Sequence, residues 1–170
     1  MSLALCLRFD RDTTEAVERV WRALSQAGVS SDMLELGYPP HLSLIVASDE
    51  TGIAGPAQAL ARVTDLAPVV VELGEVRMFP DTEVVYLACR GELSELQRRV
   101  ADLVPASALH EHYSPQAWTP HVTLQMRGDA ARALSVARAH WQPCDAVPVA
   151  LDLVVFRPVA VHASVAIAQR

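Results

Sequence analysis

The chain has 170 residues and a formal charge of −6, with 51% hydrophobic and 20% charged residues, an ordinary globular composition able to bury a core. The length favours one domain, 1–170, or two tightly packed halves. An acidic balance lacks the global basic footprint of proteins that track long nucleic acids, and no apolar run approaches the roughly 20 residues that span a bilayer.

The N-terminal "SLALCLRF" is too short and too soon charged for a signal peptide and reads as a strand over 3–9. Side chains alternate along a strand. Leu3, Leu5, Leu7 and Phe9 therefore form its core face, leaving Ala4, Cys6 and Arg8 opposite. A helix over about 12–27 opens at Asp12, Thr13 and Thr14, with Glu15 following. The next strand, 41–47, lies in "YPPHLSLIV". Alternation sends Leu42, Leu44 and Val46 towards the helices, and His41, Ser43 and Ile45 the other way.

A helix over 56–66 and strands over 69–78 and 84–90 follow. The helix over 92–104 carries Glu92 and Glu95 early and Arg98 and Arg99 late, as the helix dipole prefers. The strand over 121–126 lies in "WTPHVTLQM". Here Val122, Leu124 and Met126 point to the helices, and His121, Thr123, Gln125 and Arg127 point away. A helix over 129–141 and strands over 149–157 and 161–168 complete the chain. Strands and helices interleave, so the class is mixed α and β. Cys6, Cys89 and Cys144 are isolated and odd in number, which argues against a disulfide framework or a thiolate zinc site and for a reducing cytoplasm.

The two histidine strands belong to a repeat. Shifted by 80 residues, Pro40, His41, Ser43 and Leu44 fall on Pro120, His121, Thr123 and Leu124, and Tyr38 falls on Trp118. Without a gap, Leu5 falls on Val85, Leu7 on Leu87, Val69 on Val149, Glu72 on Asp152, Leu73 on Leu153 and Arg77 on Arg157. Each half reads as strand, helix, histidine strand, helix, strand. Each sheet would pack on its own helices, and the free faces would enclose a cleft on a pseudo-two-fold axis.

Two facing histidines can divide acid–base labour. Neutral, one takes a proton from a nucleophile; protonated, the other gives one to a leaving group. Hydroxyls two residues on, from Ser43 and Thr123, point into the same cleft and can donate to the oxygens of a phosphate held there.

"PHLSL" and "WTPHVTL" resemble the paired His-x-Thr/Ser motifs of the 2H phosphoesterase superfamily, often called the 2′-5′ RNA ligase family. The approach "HYSPQAWTPHVTL", with Tyr113, Pro115 and Trp118, is similar to one branch of it. The resemblance covers essentially the whole chain. It implies an α+β, duplicated two-lobed fold, with antiparallel-rich sheets flanking a central cleft and helices on the outer faces. It also implies catalysis without metal or other cofactor, His41 and His121 as the acid–base pair, and Ser43 and Thr123 as phosphate ligands. Members hydrolyse 2′,3′-cyclic nucleotides, cyclic phosphates at RNA ends or ADP-ribose cyclic phosphate, and some join RNA 2′-5′.

Expected partners are therefore a small nucleotide or RNA-end cyclic phosphate, with no membrane and no long duplex. Arg127 shares the parity of His121 and is a candidate phosphate contact; Arg8 is a further one. Tyr113 and Trp118 are candidates to stack a base, although large loop aromatics also pack cores, and Tyr38 is equally ambiguous. Arg77 and Arg157 read as strand-end residues. "HEH", 110–112, could join a metal site, but its Ser/Pro-bearing loop reads as solvated. RNA joining, a non-catalytic phosphate-binding module and a metal-dependent hydrolase are the alternative readings.

Overall fold

Every strand among the described residues of the computed structural model joins one antiparallel sheet. The described residues are 2–48, 54–61, 69–156 and 158–168. In chain order the elements are β1 (Ser2–Phe9), α1 (Arg11–Gln26), α2 (Asp32–Glu35), β2 (His41–Ser48), α3 (Ala54–Leu60), β3 (Val71–Met78), β4 (Val85–Arg90) and α4 (Ser94–Ala101). Two 3₁₀ turns, Ala106–Ala108 and Glu111–Tyr113, lead to β5 (His121–Gln125), α5 (Ala130–His140), β6 (Cys144–Ala146), β7 (Pro148–Phe156) and β8 (Ala160–Ala166). Residues 62–66 of the helix expected over 56–66, and Arg157, lie outside the described residues.

Local chemistry sets the helix starts. Asp10, not Asp12, caps α1, its carboxylate accepting from Thr13 N at 2.9 Å. Asp129 caps α5 in the same way, from Arg132 N at 3.0 Å. The amphipathic faces of the helices then pack on one side of the sheet. Val17, Val20, Trp21 and Leu24 of α1, Leu60 of α3, Leu96 and Val100 of α4, and Ala133 and Ala137 of α5 share one core with Leu3, Leu5, Leu7 and Phe9 of β1. Alternation in β1 is as expected: Ala4 and Cys6 sit on the opposite face, in a smaller cluster with Tyr38 and Val154.

The strand order is β6-β3-β4-β5-β2-β1-β7-β8. In place of two sheets enclosing a cleft there is one sheet, joined at its middle where Leu42 of β2 pairs with Val122 of β5. The third strand of each sequence repeat also leaves its own half. β3 pairs with β4, and β7 pairs with β1.

Two bulges sit 80 residues apart. Leu44 is the extra residue where β2 meets β1, between the pairs Leu5↔Ile45 and Cys6↔Ser43. Leu124 is the extra residue where β5 meets β4, between Val85↔Gln125 and Tyr86↔Thr123. A bulge resets alternation. Beyond Leu44, Ile45 turns into the core, and Val46 turns to the opposite face beside Ala4 and Cys6. Beyond Leu124, Gln125 is fully buried and Met126 is exposed. The expected placements of Ile45, Val46, Gln125 and Met126 are therefore all reversed.

A third bulge lies in β3 at Gly74 and Glu75. The backbones approach closely there, and a Cβ on Gly74 would stand 3.2 Å from the carbonyl of Ala88. Each of the chain's three tryptophans serves one of these bulges. Trp118 Nε1 donates to the Ser43 carbonyl at 3.1 Å, Trp21 Nε1 to that of Thr123 at 3.1 Å, and Trp141 Nε1 to that of Gly74 at 2.8 Å. A carbonyl displaced from the ladder needs a donor when water is excluded, and the indole N–H supplies it. No helix among the described residues is long and apolar enough to cross a membrane.

Candidate active site

The Leu42↔Val122 pair fixes what lies on the helix-free face. In an antiparallel pair the neighbours on either side are also opposite one another, and side chains directly opposite share a face. His41 therefore stands beside Thr123, and Ser43 beside His121. The two histidines occupy one diagonal of this four-residue group, at the about 7–8 Å typical of diagonal neighbours. That spacing admits a phosphate between the rings.

The rings are held alike. His41 Nδ1 is 2.8 Å from the Pro39 carbonyl, and His121 Nδ1 is 2.8 Å from the Thr119 carbonyl. A carbonyl can only accept, so Nδ1 carries the proton in both, and in the neutral ring Nε2 is the nitrogen with a free lone pair. Proline between carbonyl and histidine keeps the preceding residue extended, which brings that carbonyl back to the ring. Burial lowers the pKa of both. His41 falls to about 4, chiefly by desolvation, aided by the charge of His121 and opposed by its carbonyl bond and by Asp152. His121 falls for the same leading reason, opposed by its own carbonyl bond.

The flanks of the two histidines differ. Tyr38 lies 4.8 Å from His41, ring centroid to centroid, and Phe156 lies 6.1 Å away. On the other side, Phe79 and Tyr86 stack at 4.1 Å and meet His121 edge-on at 5.1 and 5.5 Å. Behind His41, the buried Asp152 carboxylate accepts from Arg8 Nε at 3.0 Å, from the Tyr38 hydroxyl at 2.9 Å and from the Ser164 hydroxyl at 2.5 Å. Cys6 Sγ touches Ser43 Oγ at 3.5 Å, and its thiol, pushed up to about 12 by burial, is inert.

The structure thus brings His41, Ser43, His121 and Thr123 together, with the candidate Tyr113 beside Ser43. Burial raises the pKa of the Tyr113 hydroxyl to about 12, opposed by the neighbouring Ser43. Two candidates go elsewhere. Trp118 packs against the helix-side core and holds the Ser43 carbonyl, so its ring is committed to the scaffold and is not a free stacking surface. Arg127 lies past the end of β5, beyond the bulge that cancels its parity with His121, and its backbone N–H donates to Asp32. His110 and His112 are exposed in the loop, and His112 pairs with Glu111 at 3.5 Å. Tyr86, Phe79, Phe156 and Asp152 were missed. Alternation along β4 and β7 carries the signal for Tyr86, Asp152 and Phe156, because Val85, Leu87, Leu151 and Leu153 occupy the core face.

A family model described as the 2′-5′ RNA ligase superfamily matches residues 10–158 of the chain, a span containing both histidine motifs. The chain belongs to the 2′-5′ RNA ligase superfamily, which is the 2H phosphoesterase superfamily. No curated protein matches it. Both His-x-Ser/Thr motifs lie within the matched span, and they adjoin at the seam of one sheet.

Proposed function

We propose that this 2H protein is a metal-independent cyclic phosphodiesterase that hydrolyses a 2′,3′-cyclic phosphate, on a nucleotide or an RNA end, to a 2′-phosphate. The observation that carries this reading is the antiparallel adjacency of the motifs. It supports the reading because both histidines and both hydroxyl residues share one face at the seam, and with Nδ1 bound to a carbonyl in each ring, both Nε2 atoms are left for a phosphate. Ser43 and Thr123 donate to the non-bridging oxygens. One imidazole takes a proton from water as the new P–O bond forms, and the other gives a proton to the ribose 3′ oxygen as its P–O bond breaks. His41, held neutral to about pH 4, suits the base; His121 then acts as the acid.

We read the chain as a duplicated, two-lobed unit acting on a small substrate. The 80-residue recurrence of motifs and bulges supports the duplication. The net charge of −6 favours a small nucleotide or short RNA end over a long duplex. The test is phosphorus NMR of the product from a 2′,3′-cyclic nucleotide in the presence of EDTA. A 2′-phosphate is expected. A 3′-phosphate reverses the acid and base geometry, and no turnover of any cyclic phosphate refutes the reading.

A further inference from the structure

The equivalent positions beside the two histidines carry different residues. On the ladder, His41 is paired with Arg8 of β1, and His121 is paired with Ala88 of β4. These two neighbours are related by the same 80-residue shift as the histidines themselves. The ladder neighbour of the histidine is therefore a cation on the His41 side and a methyl group on the His121 side. The His121 side is closed by the stacked Phe79 and Tyr86.

Arg8 is also built into place. Its Nε is fixed at 3.0 Å by Asp152, whose side chain is only 2% exposed and is anchored in turn by Tyr38 and Ser164. The arginine side chain is 37% exposed on the same face as His41. Among the described residues its two Nη groups have no hydrogen-bond partner. A guanidinium held by one edge presents a planar pair of donors with little freedom left to lose, the form in which arginine grips phosphate or carboxylate oxygens. Its backbone sits one strand, about 4.8 Å, beyond β2. The reacting phosphate lies over the β2–β5 seam, on the opposite side of β2. Arg8 Nε is tied to Asp152 of β7, on the side of β1 away from β2, so Arg8 addresses a position next to the phosphate between the histidines and not that phosphate itself.

We propose that Arg8 forms a second anion subsite, so that the preferred substrate carries a further phosphate beside its cyclic phosphodiester, on the His41 side. This deepens the phosphodiesterase reading and rests on it for the placement of the first phosphate. It also gives a nearly symmetric acid–base pair a direction, since only one orientation sets the second phosphate against Arg8.

The experiment compares a 2′,3′-cyclic nucleotide bearing a 5′-hydroxyl with one bearing a 5′-phosphate, in wild type and in Arg8→Gln. Wild type should favour the 5′-phosphate in kcat/KM by about tenfold or more, the worth of a hydrogen bond to a charged group. Arg8→Gln should bring that ratio to about one. Arg8→Gln alone leaves Asp152 buried without its cation, so Arg8→Gln/Asp152→Asn is the variant to use if the single change fails to fold. Calorimetric binding of a nucleoside 2′-phosphate against a 2′,5′-bisphosphate reads the same ratio without turnover. Equal handling of both ligands by wild type overturns the subsite, as does a preference that survives in the Arg8 variants. Absence of turnover with an intact, Arg8-dependent binding preference overturns the phosphodiesterase reading alone.

Discussion

The indole of Trp118 donates to the carbonyl of Ser43, and that contact joins the loop before β5 to the motif in β2. Trp21 of α1 does the same for Thr123 in β5. Each indole pins the backbone of the residue whose hydroxyl faces the site. Trp118→Phe keeps most of the packing but leaves a carbonyl unmatched, and should lower stability by about 1–3 kcal/mol, read as a fall in Tm. It should also lower kcat more than it raises KM. In a Ser43→Ala background the kcat effect of Trp118→Phe should vanish, because there is no hydroxyl left to misplace; an undiminished effect means that the indole acts on packing alone.

Substitution of the motif residues should separate proton transfer from positioning. His41→Ala and His121→Ala should each lower kcat by about 10²–10⁴-fold. Ser43→Ala and Thr123→Ala should cost less, about 10–100-fold, the worth of a hydrogen bond to a charged group. Steady-state kinetics on a 2′,3′-cyclic nucleotide measure all four, and full activity in either histidine variant contradicts the assigned chemistry.

Both imidazoles titrate below their ordinary value of 6.5 in the folded chain, His41 at about 4. The proposed acid–base chemistry needs one neutral and one protonated. The profile of kcat/KM should therefore be bell-shaped, with its maximum between about 4 and 6.5. Activity falls at lower pH as the base takes a proton, and at higher pH as the acid loses one. An anionic phosphate between the rings favours imidazolium, so the profile of kcat should lie at higher pH than that of kcat/KM.

The same shifts predict acid lability. A histidine kept neutral by folding binds a proton more readily when unfolded, so its contribution to stability is full above the unfolded pKa and declines as pH falls. Thermal melts should show stability dropping from about pH 6.5 towards pH 4. His41→Gln should flatten that slope, and a wild-type Tm that rises on acidification through this window contradicts the buried, neutral imidazole.

The sequence exposes the site better than it exposes the sheet. The His-x-Ser/Thr pairs are legible because an exact register between two distant strands has few explanations besides duplication. Alternation is legible in β1, because the bulge against β2 puts the extra residue on β2, and it fails beyond Leu44 and Leu124, where one extra residue reverses every later side chain. Nothing in a run of apolar residues such as "LSLIV" marks which one is extra. Trp118 has the same composition whether it stacks on a ligand or caps a displaced carbonyl, and only the bulge decides. The three residues of β6 and the four of α2 are too short to leave a periodic signal.

The exchange of third strands has a consequence for how the molecule can be made. β3 belongs in sequence to the first repeat but is hydrogen-bonded to β4 of the second, and β7 of the second repeat is hydrogen-bonded to β1 of the first. Neither repeat expressed alone contains the edge that its own first strand requires. Two copies of one repeat would have to trade β3 with each other to rebuild the six central strands. Such a pair would be a domain-swapped homodimer with two identical motifs at its seam. One polypeptide carrying both halves needs no such exchange between copies, and its positions 8 and 88 need not be the same residue; they are Arg8 and Ala88.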